Sequence, residues 1–567
     1  MRFRGYKVWA LTPDLTVASV WVMQGRIRSV IRALILGGLA AASGCTEARV
    51  HAKPAASPKI LAERPARDLK PEMAPVVRLP EAEAAHLLRR LTFGARPGEV
   101  AGLSKSGLNA WLEAQLYPER MEDTRGKLAL EPFLDALAPP KELLGKFLKA
   151  EMMGNAAEGE APKDEKGINK LTDFGRLLSF AQMSQIVRQA ESERQLFEVM
   201  VDFWTNHFNV FARKGLVKLF VADYVERAIR PNALGKFSDL LLATAQHPAM
   251  LIYLDNAQSS VEGSAKRGKN KIKRGGITEN YARELLELHT LGVDAGYTQK
   301  DVIEVARILT GWSIERAGAA GPGFKFKSNA HDRGEKLVLG QVYSAGRGVE
   351  EGQELIQRLA NDPRTARHLA RKLCARLVAD APPESCIQAG SQAFLESGGE
   401  IRKLLRAIVG SREFSVENHR LGAMKSPLEF MVSAIRVLNG KIEGDARRLA
   451  RMAEQLGEPL LMQAVPTGYP EAAKQWASAT GALSRMNYSI QLASGRVPGV
   501  NVDLERLFPN AEPEALVNEV NRVVLSGAAA PATLEAIAEQ AKQTPKEGER
   551  RQLAVALALG SPDFQRQ

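Results

Sequence analysis

Along most of the chain, apolar residues recur every three or four positions, the period of a helix with one buried face. Between Glu191 and Phe211, residues Leu196, Met200, Phe203, Trp204, His207 and Phe211 fall on one side. That spacing predicts a strong helix with an imidazole set inside its apolar stripe. Ala84, Leu87, Leu88 and Leu91 make a similar stripe from Pro80 to Gly94, with Pro80 suited to the first helical position. In that helix His86 and Arg90 stand four apart, the spacing of a solvated or capping pair. The same period returns over Lys218–Met250, Glu350–Phe414, Leu421–Leu438, Ala446–Leu456, Trp476–Leu492 and Leu534–Ala558. The predicted fold is mainly α: a large multi-helix body over residues 79–500, with 501–567 as a C-terminal helical extension of that body.

The most informative stretch is Thr278 to Trp312. Thr278 is the predicted N-cap of a helix from Glu279 to Gly292. Glu279, Arg283 and Glu287 repeat every four residues as an ion-pair ladder, and His289 falls on the packed side with Ala282, Leu285 and Leu286. Thr298 and Asp301 form a capping box that starts a second helix, whose buried face is Val302, Val305, Leu309 and Trp312. The helical period then lapses once. FKFK (324–327) and LVLGQVY (337–343) predict two short strands, one small β-hairpin, around a polar loop that carries His331 and Asp332. Loops on a rigid scaffold are where function concentrates.

Charge and composition change this picture mainly at the N-terminus. Arg26, Arg28 and Arg32 precede the short apolar run Ala33 to Ala42, and Ser43-Gly44-Cys45 follows. This reads as a secretory signal over 1–44, cut before Cys45, with Met23 as an alternative start. The run is too short to span a bilayer. Two readings stand: a plain signal peptide cut nearby, or a lipoprotein signal with Cys45 lipidated, although Ala42 stands where Leu is commoner. Residues 45–78 are rich in Pro, Ala, Lys and Arg and read as a flexible tether. The expected location is outside the cytoplasm, anchored to the cell envelope by lipid. The chain as a whole, 45% hydrophobic and 25% charged, is ordinary globular material, and its net charge of +12 is spread along it and partly concentrated in one loop. Met152–Asn169 reads as a polar surface insertion. The basic stretch Ser259–Gly276 lacks interleaved aromatics and reads as a solvated loop, so no nucleic-acid partner is expected. In an oxidising envelope Cys374 and Cys386 either pair across Ala381-Pro382-Pro383 or remain two buried thiols. Their spacing fits no metal site.

HLLRRLTFGARPGEV, FWTNHFNV, MLIYLDN, ENYARELLELHTLGVDAGYTQKDVIEVARILTGW, HDRGEKLVLG, TARHLARKLCARLVADAPP and MKSPLEFM run in order from His86 towards Trp476. Together they resemble the bacterial Domain of Unknown Function 1800 family. Thr278 stands where that family more often has Asn. The resemblance implies a largely helical exported protein without an established activity, and a partner of an alkaline phosphatase/sulfatase-like family. The polar residues within these motifs include Asn206, Glu279, Asn280 and Glu287. Beside them, His207, Arg283, Glu284, His289, His331 and Asp332 are the candidate site. On one reading it is a buried polar network in a surface-anchored interaction or scaffold module of the envelope. On the other, His207, His289 and the His331-Asp332 loop converge on a divalent metal in a hydrolase or transferase acting on an envelope polymer. No HExxH, paired-His or CxxC spacing supports the second.

Overall fold

The computed structural model describes residues 78–143, 174–261, 264–267, 270–273, 276–315, 322–416, 421–443, 447–471 and 475–567. The signal segment, the tether, Cys45 and the Met152–Asn169 insertion lie outside these residues. The helices that build the core around the site are α1 (Glu81–Leu91), α2 (Phe174–Glu191), α3 (Gln195–His207), α4 (Asn280–Glu287), α5 (Gln299–Ile308), α6 (Val349–Ala360), α7 (Pro363–Leu377), α8 (Glu384–Glu396), α9 (Ile401–Val409) and α10 (Pro427–Val437). The mainly α fold is as the periodicity predicts.

Local chemistry sets where helices start and stop. The single helix expected over Glu191–Phe211 is interrupted at Ser192–Arg194. There the Asp123 carboxylate accepts from Ser192 Oγ (2.8 Å) and Glu193 N (2.9 Å), replacing helical bonds with side-chain ones. α3 then ends at His207, four residues short of Phe211. Pro80 is the cap residue rather than the first helical one. The Thr298–Asp301 capping box starts α5 as expected, and Asp362, just before Pro363, caps α7 by accepting from Arg364 N. Thr278 does not cap α4. Its cap position is Glu279, and Thr278 Oγ1 instead donates to Asp255 O at 3.5 Å. Trp312 is buried as predicted, but α5 stops at Ile308 and Trp312 opens a strand.

One continuous apolar core runs through the helices, with Trp204, Phe208, Phe237, Leu285, Leu286 and Leu373 fully covered. His86 and Arg90 are buried too, so they are not a solvated pair. Burial forces each onto a backbone acceptor: His86 Nε2 on Phe414 O and Arg90 Nη2 on Val378 O. Cys374 on α7 and Cys386 on α8 are joined by a disulfide, both ends fully buried. Strands come only in pairs among the described residues: β1 (Ser264–Arg267) with β2 (Asn270–Lys273), β5 (Lys336–Val338) with β6 (Gln341–Tyr343) and β7 (Lys441–Ile442) with β8 (Val500–Asn501), all antiparallel, and β3 (Trp312–Glu315) with β4 (Gly323–Phe326). The expected hairpin is thus two. FKF pairs backwards with β3, LVLGQVY folds on itself through Leu339-Gly340, and His331 sits between them. The basic stretch read as a loop also contains a strand pair, β1–β2.

Candidate functional site

The sequence-predicted residues separate into two networks. In the first, the turn that follows α4 presents the carbonyls of Leu288 and His289 to side chains of α3 and α7. His207, the last residue of α3, places Nε2 3.2 Å from His289 O, and His368 on α7 places Nε2 3.2 Å from Leu288 O. A carbonyl only accepts, so both rings donate from Nε2, and His207 Nδ1 keeps a lone pair. Lys372 Nζ, one turn after His368, lies 3.1 Å from that Nδ1. The His289 ring is 6.2 Å from that of His207 and packs on Phe208 (5.1 Å), with neither ring nitrogen hydrogen-bonded. Burial, helped by the Lys372 charge, drives all three imidazoles towards the neutral form: His207 well below its ordinary value, His289 down to about 3 and His368 down to about 4. Gly292 closes the turn at φ +98°, where a Cβ would lie 3.1 Å from His368 Nδ1.

In the second network, His331 Nδ1 meets Thr310 O at 2.8 Å and Nε2 meets the buried Glu351 carboxylate, which also takes Lys336 Nζ at 2.6 Å. Asp332 takes Arg307 Nε (2.8 Å) and Nη2 (3.2 Å), and this pair with the Gly334 amide holds its carboxyl below the usual range despite burial. The loop is locked onto α5 and α6, and none of these partners is shared with His207 or His289. Among the described residues no group of three or more His, Cys, Asp or Glu side chains is placed to hold a metal ion.

On α4, Arg283 reaches Glu279 (3.1 Å) and Gln299 Oε1 (2.9 Å), so the ladder's first rung forms. Glu287 instead accepts from Tyr297 Oη at 3.1 Å. Glu284 is half-buried, and burial pushes its carboxyl up to about 7, with Glu287 adding to the effect and Arg283 opposing it.

A cleft lies beside the first network, and its lining includes none of the six candidates. It is lined by α3 (Asp202, Phe203, Asn206), α7 (Ala375, Arg376), the start of α10 (Ser426, Glu429), and Glu458, Tyr469, Glu471 and Trp476. Arg376 bridges Glu429 (2.9 Å) and Asp202 (3.4 Å) across the floor. Asn206 fastens the 458–476 segment through Tyr469 N (2.6 Å), Tyr469 O (2.9 Å) and Glu471 Oε1 (3.0 Å). Gly468, at φ +74°, lets that backbone approach, since a Cβ there would lie 2.4 Å from Asn206 O. Tyr469 and Trp476 form a half-buried aromatic pair 6.1 Å apart. Burial lifts the Asp202 carboxyl to about 7, against the pull of Arg376, and that of the buried Glu458 to about 8, so Glu458 mostly holds its proton at neutral pH. Asn206 was legible as a polar residue within a motif, whereas the helix expected from Leu421 begins only at Pro427, capped by Ser426. Glu458, Tyr469 and Glu471 carry no periodic signal.

A family model described as a protein of unknown function (DUF1800) matches residues 86–566. The chain belongs to this family. The matched span takes in both histidine networks and the whole lining of the cleft except Gln567. No curated protein and no solved structure matches this DUF1800 chain.

Proposed function

We propose that this DUF1800 protein is a surface-anchored binding module of the bacterial cell envelope, and that its cleft holds an envelope polysaccharide. The observation that carries the reading is the way Asn206 and Arg376 are fixed by partners on rigid elements before any ligand arrives. Preorganised amide and guanidinium groups beside an aromatic pair suit a hydroxyl-rich ligand, because ordering costs are met in folding rather than on binding. The signal pattern ending at Cys45 supports export and a lipid anchor. The alkaline phosphatase/sulfatase-like partner implied by the resemblance is then a neighbour acting on the same polymer. The metal-dependent hydrolase or transferase draws no support from the site: His207 and His331 are bound into separate networks.

Sedimentation with purified envelope polysaccharide tests the binding. The N206A/W476A variant should lose at least about tenfold in affinity, the order expected when an aromatic anchor and its positioning group are removed. Equal retention by wild type and variant would refute the cleft as the binding face. Cys45→Ala should release the protein from the membrane fraction. Continued sedimentation with membranes would count against lipid anchoring.

A further inference from the structure

The interior beside the cleft holds a chemical group that the binding reading does not use. Lys372 is half-buried on α7, one turn before Ala375 and Arg376, which line the cleft. Its Nζ sits 5.8 Å from the ring centroid of Phe203, another lining residue. Lys214, Lys336 and Lys546 each hold a carboxylate oxygen within 2.9 Å. Lys372 has no such partner among the described residues. It is 3.1 Å from a neutral imidazole instead. His207 Nε2 is committed to His289 O, so Nδ1 accepts an N–H from the amine and turns the amine's lone pair away from the ring. The groups facing this amine are the imidazoles of His207, His289 and His368, and the more distant Glu471. Burial holds the ammonium below the ordinary lysine value, with Glu471 pulling the other way.

We propose that Lys372 is a nucleophilic amine that captures an aldehyde as an imine beside the cleft, behind its lining residue Phe203. The amine nitrogen attacks the carbonyl carbon, and a C–N bond forms as the C=O π pair moves to oxygen. The proton leaving nitrogen passes to that oxygen, with His207 Nδ1 the acceptor within reach. The carbinolamine then loses its hydroxyl and the remaining N–H proton as water, leaving C=N. One aldehyde and one amine give one imine and one water, with no change of oxidation state. An amine without a counter-ion, desolvated beside neutral groups, is the arrangement that activates a lysine for this chemistry. The inference stands apart from the polysaccharide reading and survives its failure.

The test uses the whole chain with glycolaldehyde and sodium cyanoborohydride at neutral pH, the hydride reducing any imine to a stable secondary amine that peptide mapping locates. On the folded wild type, Lys372 should be labelled about tenfold faster than the exposed Lys300, and the two rates should converge in urea, where desolvation is gone. The Lys372 rate should also level off at a lower pH in the folded chain than in urea. Lys372→Arg should remove this fast label and leave the others. Labelling of Lys372 in the folded wild type no faster than Lys300 would overturn the proposal without recourse to any variant. A fast Lys372 rate that persists unchanged in urea would overturn it as well.

Discussion

Replacing His289 with Leu provides a direct measure of what the buried histidine cluster costs. The imidazole is 1% exposed, and both nitrogens lie unbonded among aromatic rings. A buried polar group without partners costs about 1 to 3 kcal/mol. His289→Leu, which keeps a similar volume, should therefore be neutral or stabilising by about 1 kcal/mol at pH 7.5. Acid adds a second effect. The folded value is depressed to about 3, and the unfolded one is about 6.5. Below pH 6.5 the unfolded chain therefore takes up a proton that the folded one refuses. Stability from this group is full above about 6.5 and drains away as pH falls towards 3. Between pH 7.5 and 5 the loss is about 2 kcal/mol. Leu carries no such loss. The variant's advantage over wild type should thus grow by about 2 kcal/mol on acidification, read as the difference between urea unfolding curves at the two pH values. Taking the difference cancels the protonation of Asp202 and Glu458, which runs the other way: their raised values make the folded state gain relative stability as pH falls. An advantage that is the same at pH 7.5 and pH 5 would refute the account of His289 as a permanently neutral, desolvated ring.

Three further outcomes follow from the packing. Arg376→Met should cost about 3 kcal/mol by leaving the Asp202 and Glu429 carboxylates without their bridge, and Asp202→Asn should recover part of it in a double-mutant cycle; additive losses would deny the coupling. Cys374 and Cys386 close a loop of 12 positions, so Cys374→Ser/Cys386→Ser should lose about 2 to 4 kcal/mol in denaturant unfolding, and added reductant should no longer affect that variant. Gly311→Ala should lower the thermal midpoint by about 1 °C or more, a cost above about 1 kcal/mol, because φ is +77° and the new Cβ would sit 2.6 Å from Lys327 O. An unchanged midpoint would mean that the backbone at Lys327 gives way freely.

What could be read from the sequence was what lies close together along it. The apolar stripes placed His207 and His289 on packed faces, and the structure puts them side by side. The capping box at Thr298 needed only four residues to recognise, and it is present. His368, Lys372 and Arg376 also follow a four-residue spacing on α7, yet spacing alone did not separate them from an ordinary basic helix face. Thr278 failed as a cap because Asp255 O offers its hydroxyl another partner, and that oxygen is distant in sequence. The break at Ser192 likewise depends on Asp123. The cleft was illegible for the same reason: Asp202, Arg376, Glu429 and Glu458 come from four separate segments. His331 joined the wrong set because its partner Glu351 looked like one more helix-surface carboxylate, whereas it is fully buried.

Glu429 carries two duties at once. One carboxylate oxygen accepts from Ser426 N at 2.7 Å to start α10, while the other takes Arg376 at 2.9 Å on the cleft floor. Changing the charge of the cleft at this position therefore also loosens the first turn of a fully buried helix, unless the new side chain is Gln, which keeps both reach and an acceptor oxygen. Trp476 and Glu471 also line the cleft, but neither stands in the first turn of a helix, so a substitution there carries no such linkage.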